Sequence, residues 1–157
     1  MKIILLQIDK TQDSYLNEGV LVYTKRLSNY IGFEIQTINV PKQVRQRSVK
    51  EQKLEESKLI FGALQTSDFL ILLDENGKEY NSIEFANFVS QKQLASLKCL
   101  VFLIGGPFGF DETIYKRANA KLALSKMTFS HQMVRLFFVE QLYRAFTILK
   151  GEKYHHE

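Results

Sequence analysis

Residues 99–129 read CLVFLIGGPFGFDETIYKRANAKLALSKMTF, and their pattern indicates the architecture of the whole chain. Residues 99–104 form an unbroken apolar run that is too short for a typical helix and ends at a double glycine, which predicts a buried strand. The strand runs into Gly105-Gly106-Pro107, where the chain must turn sharply because proline fixes its own φ and glycine opens backbone angles that other residues avoid. Ligands of open α/β sheets bind just beyond the carboxyl ends of such strands. This loop is therefore predicted to form the floor of a binding site.

The rest of the chain alternates between short apolar runs and longer segments with helical periodicity. Strands in alternation with helices predict an α/β fold, with a mostly parallel sheet and helices on both faces. Because no repeat, low-complexity tract or linker divides the chain, we expect a single domain over residues 1–157. The predicted strands are residues 2–8, 33–40, 69–73, 99–104 and 121–124, and the predicted helices are residues 13–32, 48–64, 82–97, 111–117 and 131–149.

Two local signals accompany these elements. Residues 74–78, DENGK, contain an Asn-Gly pair, which predicts a turn that opens either a tight hairpin or a short return strand. Ser82 is the expected cap of the helix that follows.

Composition limits the class of protein. With 45% hydrophobic and 24% charged residues, the chain resembles an ordinary soluble globular protein. The one cysteine, Cys99, excludes an internal disulfide and indicates a reducing compartment. The first apolar run is too brief for a signal peptide, and no run approaches the roughly 20 residues of a membrane span. We therefore expect a cytoplasmic protein with no membrane partner.

The positive charge is concentrated in one segment. Residues 41–53 carry five basic residues and one acid, an excess of four that equals the net charge of +4 for the whole chain. This segment is either a nucleic-acid contact, with Arg45 and Arg47 as candidates, or a solvated loop and helix start.

The last helix, residues 131–149, is apolar over more of its circumference than one sheet face requires. The apolar surface of this helix that does not face the sheet is covered either by the same helix in a second copy, giving a two-fold homodimer, or by its own chain.

Several familiar sites are absent from the sequence. There is no dinucleotide-binding glycine motif, P-loop or Gly-x-Ser-x-Gly elbow, and no second cysteine to support a zinc site. The only histidines are His131, His155 and His156, without carboxylates in ligand spacing, so we expect no metal.

Three loops are predicted to meet at one end of the sheet. They are Leu73-Asp74 after the third strand, residues 105–109 after the fourth and residues 124–129 after the fifth. Such a cradle offers backbone N–H and C=O groups and apolar walls with few charges. It suits a neutral, adenine-bearing ligand better than a triphosphate.

The runs LIGGPFGF and LALSKMTFSHQMVRLFFVEQLYRAFTILKGEKYHHE closely resemble the bacterial ribosomal RNA large subunit methyltransferase H family, which are small SPOUT-class enzymes. The similarity covers essentially the whole chain and is sharpest from Phe102 onward. It implies a SPOUT-type fold with a C-terminal trefoil knot. It also implies transfer of the methyl group of S-adenosylmethionine to N3 of a pseudouridine in a 23S ribosomal RNA hairpin loop, by a homodimer acting on the ribosome.

The resemblance also implies particular site residues. Tyr154 and His155 are assigned to the substrate side, although such a tail looks disordered by default. His131 is a candidate for contacting the target base or is a plain helix-start contact. Arg135 is a candidate for pairing with phosphate or with charge on the base, or for a dimer salt bridge, whereas Arg144 is expected in a structural ion pair. The methyl-donor site carries over to Leu73, Gly105, Leu124, Ser125, Lys126, Met127, Thr128 and Phe129.

Three other functions remain open from the sequence. The chain could be a related knotted methyltransferase acting on transfer RNA, a non-catalytic RNA- or ribosome-binding protein, or a nucleotide-binding α/β domain.

Overall fold

A computed structural model describes residues 1–156, and in it five strands form one sheet. All pairings between these strands are parallel, as the alternation of strands and helices predicts. The central strands are mostly apolar and buried over residues 2–8, 69–73 and 99–104, which is typical of a sheet covered on both faces. The elements are β1 (Lys2–Ile8), α1 (Ser14–Leu27), β2 (Gly32–Ile38), α2 (Lys42–Arg45), α3 (Val49–Ala63), β3 (Phe69–Glu79), α4 (Ser82–Leu94), β4 (Cys99–Ile104), α5 (Glu112–Arg117), β5 (Ala120–Ala123) and α6 (Met133–Leu149). The strand order in the sheet is β2-β1-β4-β3-β5.

Helices cover both faces of the sheet, which confirms the predicted architecture. On one face Val20 of α1, Phe85 of α4 and Phe138 of α6 pack with the sheet in one apolar cluster. On the other face Ile60 of α3 and Ile114 of α5 belong to a second cluster. Alternate side chains of each central strand enter one cluster or the other, because successive strand residues point to opposite faces.

The prediction of a turn at residues 74–78 is wrong. β3 continues to Glu79, and after a register break it pairs again with β5, with Lys78 opposite Leu122. A Cβ on Gly77 would lie 2.6 Å from the backbone carbon of Leu122, so glycine here permits close approach of two strands. The Asn-Gly pair therefore serves this contact and opens neither a hairpin nor a return strand.

Local details differ from the sequence expectations at other element ends. α4 is capped by Asn81 in place of the expected Ser82, because the Asn81 side chain accepts from the N–H of Glu84 while the Glu84 carboxylate accepts from that of Asn81. The basic segment contains the short helix α2, which the sequence pattern did not indicate.

The C-terminal residues complete the sheet's helical cover. Residues 124–132 lead from β5 along the carboxyl ends of β3 and β4 to Gln12, whose N–H donates to the Gln132 side chain. α6 then packs between α1 and α4. The trefoil knot concerns the threading of this segment and stays a prediction.

The tail folds back onto α6 and is not disordered, contrary to the default expectation. The N–H of Glu152 donates to the carbonyl of Thr147, and the Tyr154 hydroxyl donates to Glu140 Oε1 at 2.9 Å. Glu157 lies outside the described residues. Within residues 1–156 no helix combines the length and apolarity that a membrane crossing requires.

Candidate functional site

A cavity of about 610 Å³ lies at the carboxyl ends of β4 and β5, beside residues 73–76 in the middle of β3. The three segments that the sequence predicts to converge line this cavity, with Leu73, Gly105 and Met127 on its walls, although Leu73 lies within β3 and not in a loop. Lys126 is exposed and does not line it. The other residues assigned to the donor site by resemblance all do so, namely Leu73, Gly105, Leu124, Ser125, Met127, Thr128 and Phe129.

The glycines of the loop at residues 105–109 are required by packing around the loop. A Cβ on Gly105 would lie 2.8 Å from the ring of Phe110, and one on Gly106 would lie 3.1 Å from the carboxylate of Glu56. Gly109 has a φ of 76°, in the left-handed region that favours glycine. A side chain at position 105 would therefore have to displace the Phe110 ring, and one at position 106 would have to shift the Glu56 carboxylate.

Two acidic residues lie on one wall: Asp74 belongs to a segment that the sequence places at the site, whereas the next residue, Glu75, was missed. The Tyr115 hydroxyl donates to Asp74 Oδ2 at 2.6 Å, and the Thr128 hydroxyl donates to the Glu75 carboxylate. Burial, together with the bond to Asp74, raises the pKa of Tyr115 to about 12. Tyr115 is therefore a reliable donor at neutral pH that holds the Asp74 carboxylate in place.

The cavity is acidic. Among residues 1–156, Asp74 and Glu75 line it, but no lysine or arginine does. His131 also lines it, and burial lowers the pKa of its imidazole, with Arg135 and Arg45 adding to the effect. The ring is thus neutral at pH 7. The expectation of a neutral ligand needs correction, because this lining favours a ligand that carries positive charge.

Arg135 does not occupy the position that an RNA contact requires. It is fully buried, and its guanidinium donates to the carbonyl of Ile8 at 2.7 Å, to Thr11 Oγ1 at 3.1 Å and to the carbonyl of His131 at 3.2 Å. It reaches neither the cavity lining nor solvent, and it forms no ion pair within the described residues. Its place is therefore structural: it ties the start of α6 to the loop after β1.

The tail residues Tyr154 and His155 lie away from the cavity of their own chain. Tyr154 bonds to Glu140, and the guanidinium of Arg144 lies 4.7 Å from the centre of the Tyr154 ring. His155 Nδ1 lies 3.4 Å from Arg144, which pairs with Glu140 at 2.5 Å. The expected structural ion pair of Arg144 is confirmed, whereas Tyr154 and His155 line no part of the cavity.

The basic candidates divide into a paired and an exposed residue. Arg45 lies between the carboxylates of Asp9 and Glu56 and donates to both. Its charge is therefore paired with two carboxylates of the same chain, which corrects its assignment as a free RNA contact. Arg47 is exposed, and the carboxylate it pairs with, that of Glu55, is 3.8 Å away.

Within residues 1–156, no group of three His, Cys, Asp or Glu side chains is placed to hold a metal ion. Cys99 lies at the far end of β4 from the cavity, and burial raises the pKa of its thiol to about 11. A thiol of that pKa is a poor nucleophile.

Comparison with known proteins gives a consistent result. A family model described as "Predicted SPOUT methyltransferase" matches residues 1–155. The chain is 58% identical over 156 residues to ribosomal RNA large subunit methyltransferase H of Cytophaga hutchinsonii, covering 99% of this chain and 100% of that protein. It is 51% identical to the protein of the same name from Christiangramia forsetii, covering 99% of both chains.

A solved structure is also similar, but distantly. The SpoU methyltransferase AviRb of Streptomyces viridochromogenes, in complex with AdoMet, is 11% identical with a TM-score of 0.45. The match covers 96% of this chain and 61% of that chain, so the present chain spans less than two thirds of the solved one.

Proposed function

This chain belongs to the ribosomal RNA large subunit methyltransferase H family of SPOUT methyltransferases, and from that membership we propose that it transfers the methyl group of S-adenosylmethionine to N3 of a pseudouridine in a hairpin loop of 23S ribosomal RNA. We further propose that it acts as a homodimer on the ribosome, and hence in the cytoplasm.

The acidic cavity is the observation that supports this donor. S-adenosylmethionine carries a sulfonium, an ammonium and a carboxylate group and is positive overall. Asp74 and Glu75 supply carboxylates for its cationic groups, with no lysine or arginine among the described lining residues. A volume of about 610 Å³ lies in the range of small-molecule sites. Backbone groups around Gly105 and apolar side chains such as Leu124 and Phe129 suit the adenine and its neighbours. A phosphate-bearing ligand would be repelled by the same carboxylates.

The reaction places few demands on the protein beyond alignment. When bound, the donor supplies an electrophilic methyl group; transfer forms an N3–C bond, breaks the S–C bond and leaves its electron pair on sulfur. The imide proton must also leave N3. His131 lines the cavity with a neutral ring, so it is our candidate to accept that proton or to hold the base.

The exposed basic residues near α3 form the proposed RNA surface. Arg47, Lys42 and Lys50 are exposed, and α3 lies beside the cavity because its Glu56 packs against Gly106. Phosphate contacts from such side chains would position the RNA without reading its sequence.

The homodimer is supported by the position of the tail and by apolar surface at the cavity. Tyr154 and His155 do not reach the cavity of their own chain. They can therefore contact the substrate only at the cavity of a second copy. Met127 is 76% exposed beside the cavity, and Phe137 of α6 is 40% exposed with its ring 5.0 Å from that of Phe129. A partner docked along α6 would cover this surface.

Calorimetry with S-adenosylmethionine and S-adenosylhomocysteine tests the donor site. We expect saturable binding of both ligands. The double variant Asp74→Asn, Glu75→Gln should lose about tenfold more affinity for S-adenosylmethionine than for S-adenosylhomocysteine, because the sulfur of S-adenosylhomocysteine is uncharged. The control Glu112→Gln removes an exposed carboxylate on α5 that does not line the cavity and should change neither affinity. Absence of saturable binding would leave a non-catalytic RNA-binding protein, and an equal loss for both ligands would refute the charge argument.

A further inference from the structure

Glu56 of α3 packs against the loop at residues 105–109 from outside the cavity. Glu56 is 5% exposed, and its two carboxylate oxygens lie 3.1 and 3.2 Å from the position that a Cβ on Gly106 would take. Gly106 lines the cavity, whereas Glu56 does not. The carboxylate therefore fills the space that a side chain at position 106 would need, on the side of the loop that faces away from the ligand.

The carboxylate is held in place by a chain of charged contacts. Arg45 donates to Glu56 Oε1 at 2.7 Å and also donates to Asp9, whose Oδ1 accepts from the N–H of Val40 at 3.0 Å. Burial raises the pKa of Glu56, and the guanidinium of Arg45 opposes that rise. A buried carboxylate is costly unless it is paired. The paired charge at this point, where an apolar side chain could anchor α3 equally well, needs a reason beyond helix packing.

We propose that Glu56 is a positioning residue for the donor site: its carboxylate, oriented by Arg45, fixes Gly106 and thereby the shape of the loop at residues 105–109 that receives S-adenosylmethionine. This inference rests on the proposed function. It assigns control of donor affinity to a residue that contacts neither donor nor RNA. Loss of the side chain should loosen the loop in the free protein, so that binding must first order it.

A double-mutant cycle that removes side-chain volume at Glu56 and adds it at Gly106 tests this geometry. Glu56→Ala should weaken S-adenosylmethionine binding about tenfold, because the loop loses its support. Gly106→Ala should also weaken binding about tenfold, because its methyl group meets the carboxylate. The double variant should bind more tightly than either single variant, because the new methyl group occupies the space that the carboxylate leaves. Glu55→Ala, the neighbouring residue that pairs with Lys58 and Arg47 on the helix surface, is the matched control and should bind as wild type.

Steady-state kinetics separate positioning from general damage. Glu56→Ala should raise KM for the donor with kcat at saturating donor within about twofold of wild type, whereas a partly unfolded enzyme would lose kcat. Glu56→Gln keeps the volume against Gly106 and should recover most of the affinity. Should Glu56→Ala not fold, Glu56→Asp, whose shorter side chain withdraws the carboxylate from Gly106, replaces it in both the single and the double variant.

The outcomes distinguish this inference from the function on which it rests. If wild type shows no saturable donor binding, the proposed function fails and the inference with it. If wild type binds the donor but Gly106→Ala and Glu56→Ala bind equally well, the positioning role alone is overturned. It is also overturned if the two substitutions are additive, because the carboxylate and residue 106 then do not compete for one space.

Discussion

Replacing the buried Arg135 by methionine separates a structural role from an RNA-binding one. The substitution keeps most of the aliphatic stem and removes the three hydrogen bonds to Ile8, Thr11 and His131. Each bond contributes about 1 kcal/mol net, and bonds from a charged donor contribute more, although burying that charge offsets part of the gain. Burial lowers the pKa of Arg135, with nearby Asp9 opposing it, in keeping with such a cost. We therefore expect the free energy of unfolding to fall by about 3 kcal/mol.

Urea unfolding followed by circular dichroism measures this loss, with the slope in denaturant unchanged if both states keep their compactness. Arg144→Met is the matched control on the same helix. Arg144 is partly exposed and pairs with Glu140 four residues earlier, so its loss should cost under about 1 kcal/mol.

The RNA-binding alternative makes the opposite prediction for the same variant. An arginine that neutralised a phosphate would leave stability nearly unchanged and would reduce the salt dependence of ribosome binding by about one ion. If Arg135→Met costs less than about 1 kcal/mol and lowers that salt dependence, the structural role is refuted.

Three further substitutions test the cavity. Tyr115→Phe removes the donor to Asp74 and should weaken S-adenosylmethionine binding several-fold in calorimetry; unaltered affinity would show that Asp74 needs no support. Burial lowers the pKa of His131 below its ordinary value of 6.5, so the acid limb of the wild-type kcat profile should have its midpoint below pH 6.5, and His131→Gln should abolish that limb; a midpoint above pH 6.5 would contradict the burial effect. Gly105→Ala places a methyl group against the ring of Phe110 and should lower both the melting temperature and donor affinity, so a fully stable variant with intact binding would contradict the packing at this loop.

The sequence predicted the sheet and the meeting of the loops because both follow from local patterns. Residues 99–104 are apolar on both faces of the strand and end at glycines, and the carboxyl ends of parallel strands meet at one edge. The continuation of β3 to Glu79 was not predictable in this way. The signal at Gly77 marks close approach to Leu122, a partner 45 positions away that no local pattern identifies.

The charged residues show even more clearly that a local sequence pattern does not identify distant packing partners. Arg45 and Arg47 look alike in sequence, yet Arg45 is paired with two carboxylates and Arg47 is exposed. Arg135, one turn after His131, looked like a second site residue, but the loop after β1 encloses it completely. Each outcome depends on which distant segment packs over the side chain, and periodicity carries no information about that.

Mass spectrometry of 23S ribosomal RNA provides the decisive test. Ribosomes from cells that lack the intact protein would be incubated with purified protein and S-adenosylmethionine, and nuclease fragments compared with and without enzyme. We predict that one pseudouridine-containing hairpin fragment gains the mass of a single methyl group, located at N3, and that the Asp74→Asn, Glu75→Gln variant forms it more slowly at limiting donor. Unchanged 23S ribosomal RNA, or a methyl group that appears on transfer RNA instead, would contradict the proposed reaction.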